Sequence, residues 1–348
     1  MMAENQAVTK ELKELLDSFV SDSGPVALHL RQKMLPVEGE GGVIFPPTYA
    51  KIGYVIDELS DGTKVAQMDS VGSQANRMEP LFKERYKDLV PQVDIKLENG
   101  RTVSMLDAGH RLGDALVRST RELSDEARKA FAAFDKEGDA GPMAKLAPTS
   151  LVFGAWDSRD SQTKLPRLVN SVIRAWDVDP ISRAATYVPP VDYEELGVYD
   201  ATFKEKKENK EKLAKRGFVH NPADGVGGIV VRGGVYRDVT VNLVALRHLK
   251  GENNTKSLQR YILGLALISA TDPQDGFLRQ GCLITPDFDE PGTWQQINRN
   301  GQRIELDLNL EVVEGYAQEA AREFGVGEGG TYDFDKELAK QDVAKKDK

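Results

Sequence analysis

Two short stretches concentrate side chains suited to gripping an anionic polymer. Residues 71–80 read VGSQANRMEP, where Ser73, Gln74, Asn76 and Arg77 place four hydrogen-bond donors close together and leave Ala75 and Met78 for packing. Further on the chain reads LVFGAWDSR and then TKLPRLVNSVIRA. In the second stretch Trp156 offers a ring for stacking, and Ser158, Arg159 and Lys164 add donors and charge. This is chemistry for holding phosphates and stacking on unpaired bases. A structural alternative exists for each group. Ser70 or Ser73 can cap a helix while Arg77 pairs with an acid, and Trp156 can be core.

Pro166 predicts a helix start, with Leu168 or Val169, Val172, Ile173 and Trp176 on its buried side. On that helix Arg167, Ser171 and Arg174 fall at i, i+4 and i+7 and share the opposite face. His110 and Arg111 follow a predicted hairpin, and Arg118 lies just beyond. A lone histidine in such a place is more often structural than catalytic.

Signatures of enzymes are sparse. There is no GxSxG, no HExxH and no lysine closing a phosphate-binding glycine loop. The glycines of GVGEGG follow a helical pattern instead of opening a helix after a strand, so they do not form a dinucleotide fingerprint. Asp177 and Asp179, and Asp287 and Asp289, suit turns and helix ends better than metal binding. One cysteine and four scattered histidines give no disulfide and no metal-ligand spacing. No catalytic group, metal or cofactor is expected.

The net charge of -9 argues at first against a nucleic-acid partner. Its location weakens that argument. Residues 286–348 hold 15 acids and 8 bases, a charge of -7, which leaves 40 acids and 38 bases, or -2, for the first 285 residues. The acidic end would serve solubility, a subunit contact or the repulsion of stray nucleic acid. The longest apolar run, 261–270, is too short to span a bilayer, and MMAENQAVTK lacks the apolar segment of a signal peptide, so a cytoplasmic protein without a membrane partner is expected.

These groups need a scaffold. Leu12, Leu15, Leu16, Phe19 and Val20 predict an amphipathic helix, and 26–30 a strand. Hairpins are predicted for 52–59 with 64–68 and for 93–97 with 101–105, the second turning at Asn99-Gly100. A helix is expected from Gln74 to Phe82, kinked or restarted at Pro80, another over 124–134, and a short strand at 151–153. The segment 181–216 loses regular patterning and contains the charged run KEKKENKEKLAKR, which marks a projecting insertion. Strands at 228–232 and 235–246, a helix marked by Leu258, Tyr261, Ile262, Leu265 and Ile268, and a helix at 311–324 follow. The tail after Gly325 is expected to be largely disordered. Strand pairs alternating with single helices predict an α+β fold with helices on one face of a mostly antiparallel sheet.

Taken in order, PPTYA, SQANRMEP, HRLGDALVRS, LVFGAWDSR, KLPRLVNSVIRA, HNPADGVGGIVV and QRYILGLAL resemble the backbone subunit of a type I-G (formerly I-U) CRISPR interference complex, a Cas-seven-type RAMP protein, from Leu28 to Leu283. The resemblance implies a modified RNA-recognition-motif palm, ferredoxin-like, with insertions and a thumb-like hairpin. On that reading the RAMP domain spans 25–325 with its thumb at 181–216, while the N-terminal helix at 1–24 and the charged flexible tail at 326–348 lie outside the resemblance. It further implies a non-catalytic subunit of an antiviral ribonucleoprotein (Cascade). Copies would stack as a helical filament along one CRISPR guide RNA, present it to target DNA beside other Cascade subunits, and leave cutting to a recruited helicase-nuclease.

On that reading Ser73, Gln74, Asn76, Arg77, Lys164, Arg167, Ser171 and Arg174 would meet guide phosphates with Trp156, Ser158 and Arg159. His110, Arg111 and Arg118 would meet the target strand or another nucleic-acid segment. The alternative is a RAMP-type ribonuclease that processes guide RNA or cuts target RNA, using loop aspartates such as Asp157 and Asp160 with His110.

Overall fold

The computed structural model describes residues 10–344, so residues 1–9 of the first predicted domain and 345–348 of the tail lie outside the described residues. Helix α1 (Lys10–Ser18) leads into β1 (Ala27–Pro36). A hairpin of β2 (Ile56–Glu58) and β3 (Lys64–Asp69) precedes helix α2 (Val71–Met78). A second hairpin, β4 (Val93–Lys96) and β5 (Thr102–Ser104), precedes helices α3 (Arg121–Glu137) and α4 (Pro148–Phe153). Strand β6 (Val169–Trp176) then enters an arm made of β7 (Val178–Tyr187), α5 (Ala201–Glu205), α6 (Lys207–Lys215) and β8 (Asn221–Val231). The chain returns through β9 (Val235–Asn242) to helix α7 (Thr255–Thr271). Strands β10 (Phe277–Arg279), β11 (Cys282–Pro286), β12 (Thr293–Ile297) and β13 (Arg303–Leu306) follow, then α8 (Leu310–Phe324), β14 (Gly330–Asp333) and α9 (Lys336–Ala344).

The architecture is mixed α and β around a nine-stranded sheet in the order β10-β11-β1-β9-β6-β3-β2, with β12 pairing the free half of β1 and carrying β13. Its ladders are antiparallel. Period-two sequence explains the faces: Leu28, Leu30 and Met34 of β1 point into the core, and His29, Arg31 and Lys33 point away. Helix α7 is buried on every side from Ser257 to Ala270, as expected for a central helix. Helix α8 crosses it so closely that a Cβ on Gly264 would sit 2.8 Å from the Ala317 Cα.

Three expectations fail for physical reasons. The stretch after Pro166 is a central strand, not a helix. Val169, Ser171, Ile173 and Ala175 alternate inward, and β3 and β9 occupy its two edges, a pairing that overrides the helical spacing. Residues 151–153 end a helix instead of forming a strand, because Pro148 starts α4 and every residue of it is buried. The tail is ordered through residue 344: β14 pairs in parallel with β4, and Asp335 caps α9 by accepting from the Glu337 and Leu338 amides. Acidic side chains of the tail find bases within the chain, Asp342 on Arg118 and Asp335 on Arg121.

The arm is longer than the 181–216 insertion. Strands β7 and β8 pair from Val178–Val231 out to Tyr187–Asn221, with a register shift between Val226 and Ile229, and α5 and α6 fill the tip. From Asp179 to Tyr187 β7 is exposed, so this ribbon projects from the sheet.

Candidate nucleic-acid interface

Helix α2 divides its polar residues between two faces. The Ser70 hydroxyl accepts from the Ser73 amide at 3.2 Å and caps the helix. On the inward face Gln74 Nε2 donates to Asp69 Oδ2 at 2.7 Å, and Gln74 Oε1 accepts from Ser171 Oγ at 2.7 Å. Arg77 Nε lies 2.9 Å from Asp69 Oδ2, and its terminal nitrogens donate to the carbonyls of Phe277 (3.1 Å) and Leu278 (2.6 Å). Buried Gln74 and Ser171 are therefore fasteners between α2 and the sheet, not phosphate ligands, and Arg77 ties α2 to the sheet and the 277–278 strand. Only half-buried Ser73 and exposed Asn76 face outward, three residues apart.

Arg111 is corrected in the same way, and half-buried Arg118 is engaged within the chain. The Arg111 backbone has φ +54°, and its side chain is buried with Nε 2.7 Å from Glu79 Oε2. Its other nitrogens donate to the Gly154 carbonyl (3.1 Å) and to Asn76 Oδ1 (3.4 Å). Burial pushes the Glu79 carboxyl up to about 7 against the pull of the Arg111 charge, and burial likewise lowers Arg111, with Arg167 adding repulsion. Arg118 bonds Asp342 at 3.0 Å and the Gly113 carbonyl at 2.6 Å. The buried Arg111 guanidinium holds the loops around it and cannot meet a target strand.

Around this buried pair lies a polar rim. Trp156 is 50% exposed, its backbone bridges antiparallel to Lys164, and the Lys164 ammonium sits 4.6 Å over the indole. Asp157 holds the intervening turn: Oδ2 accepts from the Ser161 amide and hydroxyl at 2.8 Å each, and Oδ1 from the Asp160 amide at 3.2 Å. Burial alone would raise the Asp157 carboxyl, but these bonds and one from the Arg159 amide outweigh it and hold it below the ordinary value.

Exposed Arg167 runs across two glycines. A Cβ on Gly154 (φ +79°) would lie 2.8 Å from Arg167 Cγ, and one on Gly72 would lie 3.8 Å from its Nη2. Arg167 thus rests beside the N-terminal turn of α2, where free amides favour anions. Exposed His110, with Nδ1 3.8 Å from Asp114, follows Gly109, where a Cβ would lie 3.9 Å from Asn76 Nδ2, and so borders the same rim. Ser158 and exposed Arg159 occupy the Asp157 turn. The fold therefore brings Ser73, Asn76, Trp156, Lys164, Arg167 and His110 to one edge. Arg174 is elsewhere: it lies near the far end of β6, on the outer sheet face beside Tyr236 and Gln67.

That outer face was missed in the sequence. Arg31 stacks on the Tyr236 ring at 4.1 Å, Asp238 lies 3.7 Å from His29 and 3.9 Å from Arg31, and Gln67 donates to the Tyr49 hydroxyl at 3.1 Å. Burial lowers the His29 imidazole below its ordinary value, with Asp238 opposing. The alternation of ALHLRQKM and VYRDVTVN was the signal available. Among the described residues there is no group of three or more His, Cys, Asp or Glu able to hold a metal, and no helix long and apolar enough to cross a membrane.

Residues 28–180 match the family profile described as CRISPR-associated protein GSU0053, a span just under half of the 348-residue chain. That span includes α2, the Trp156 turn, Arg167 and β6. No curated protein matches the chain. One similar solved chain belongs to a "CRISPR RNA-guided surveillance complex, pre-nicking"; it is 12% identical, with 92% of this chain and 99% of that one covered and a TM-score of 0.38. A superposition that loose carries no argument about mechanism.

Proposed function

We propose that this chain is a guide-RNA-binding backbone subunit of a type I-G CRISPR interference complex. The observation that carries the reading is the rim: a half-exposed indole backed by Lys164, next to exposed Arg167 and Asn76, assembled from separate segments within the span that matches a CRISPR-associated family. Such groups hold phosphates and stack on any base, which suits a guide whose sequence varies. The open sheet face with Arg31, Tyr236 and Arg174 extends the polar surface. The arm of β7 and β8 would serve as the thumb that crosses the guide, in a filament of copies that offers the guide to target DNA, with cutting left to a recruited helicase-nuclease.

We place binding ahead of RNA cleavage because both carboxylate oxygens of Asp157 are engaged by its own turn. The ribonuclease alternative would use exposed Asp160 with His110, the exposed imidazole on the rim. Guide-RNA affinity measured against salt tests the proposal: Arg167→Ala and Lys164→Ala should each reduce the slope of log K by about 1. Unchanged affinity and slope in both variants would overturn it. Cleavage of RNA by the purified chain that is lost in His110→Ala would favour the ribonuclease.

A further inference from the structure

Beneath the sheet, on the face opposite the outer residues, lies a cavity of about 270 Å³ walled by Ile173, Leu278, Ile284 and Trp294. Its size is several times the roughly 30 Å³ that one water occupies. Arg237 of β9 lines it and is 4% exposed. The partners of its guanidinium are neutral: Nε donates to Ser171 Oγ at 3.3 Å, and Nη2 lies 3.9 Å from Met78 Sδ.

Among the described residues no carboxylate is paired with Arg237. The acid whose charge reaches it, Asp272, already accepts from Arg85 and from the Tyr86 hydroxyl. Burial therefore pushes the guanidinium down to about 10. Two more donors on the cavity wall, Thr271 Oγ1 and Gln274 Nε2, are buried without a hydrogen-bond partner among the described residues.

A buried cation without a counter-ion and two unpaired donors are costly individually and complementary together to one planar anion. We propose that this cavity is a binding site for a small organic monocarboxylate. The carboxylate would bridge Arg237, Thr271 and Gln274, and a short apolar body would fill the space between Ile173, Leu278 and Trp294. An apolar wall disfavours the more strongly hydrated, multiply charged phosphate. The site would also be felt at the rim, since Arg237 reaches α2 through Ser171 and Gln74.

Calorimetric titration of the full chain with butyrate, with its neutral isostere butyramide and with inorganic phosphate tests the assignment. Butyrate should bind saturably and raise Tm in step with its concentration, while butyramide and phosphate at equal concentration should do neither. Arg237→Gln should weaken butyrate at least about tenfold, the loss expected for a buried charge-assisted contact. If that variant does not fold, Thr271→Val and Gln274→Leu should each weaken binding by about threefold or more. Equal binding of butyramide, binding of phosphate alone, no heat with butyrate, or full butyrate affinity in the folded variants would each overturn the proposal.

Discussion

Ser171 Oγ donates to Gln74 Oε1 at 2.7 Å across 97 residues of sequence. The contact joins β6 to α2 and is wholly buried, so two segments rich in donors do meet, but through their inward sides. The same hydroxyl accepts from Arg237 Nε. Ser171→Ala would leave Gln74 Oε1 and Arg237 Nε without this partner, at a cost of about 1–3 kcal/mol. Urea unfolding should show that loss, while guide-RNA affinity of the folded variant stays unchanged.

Arg77 and Arg167 are both near α2, yet they should behave oppositely. Arg77→Ala deprives buried Asp69 of its pair and strips two carbonyls of donors, so it should lower stability by about 1–3 kcal/mol. Once folded it should keep most of its RNA affinity. Arg167→Ala should leave stability nearly unchanged and weaken RNA binding at low salt most of all. Denaturation curves and binding isotherms on the two variants separate these effects.

Trp156→Ala should cost about 1–3 kcal/mol of RNA binding, and Trp156→Phe should retain most of the affinity because a ring still stacks. Binding of single-stranded RNA should quench the Trp156 fluorescence. The chain has three tryptophans, so the change should vanish in Trp156→Phe. A quench that persists in this variant would place the contact elsewhere.

The Asp157 turn should open in acid. Its carboxyl is held below the ordinary value of 3.8, so its contribution is complete above that value and lost as the pH falls through the lowered one. No loss from this group is expected between about pH 5 and 8. Fluorescence of Trp156 followed down to strong acid should report an opening step that Asp157→Asn, with its weaker acceptor, shows already at neutral pH.

The sequence by itself determined the locally encoded parts. The Asn99-Gly100 hairpin, a helix capped at Ser70 or Ser73, the apolar helix around Tyr261 and the last long helix were legible because spacing and turn chemistry act within a few residues. So was a break in regular patterning, which falls in the arm. The positions of Trp156, Lys164, Arg167 and Asn76 as donors were legible by residue type alone.

What only the tertiary structure decided was which way each donor faces and what stands opposite it. The stretch after Pro166 carries helical spacing and strand alternation together, and hydrogen bonds from β3 and β9 on both edges chose the strand, sending Arg174 away from Arg167. Arg111 and Arg118 read as free cations, and Arg77 as either free or paired with an acid, until the fold set Asp69 against Arg77, Glu79 against Arg111 and Asp342 against Arg118. A side chain's type is written in the chain, whereas its partner comes from residues tens to hundreds of positions away, and desolvation on burial makes that partner obligatory.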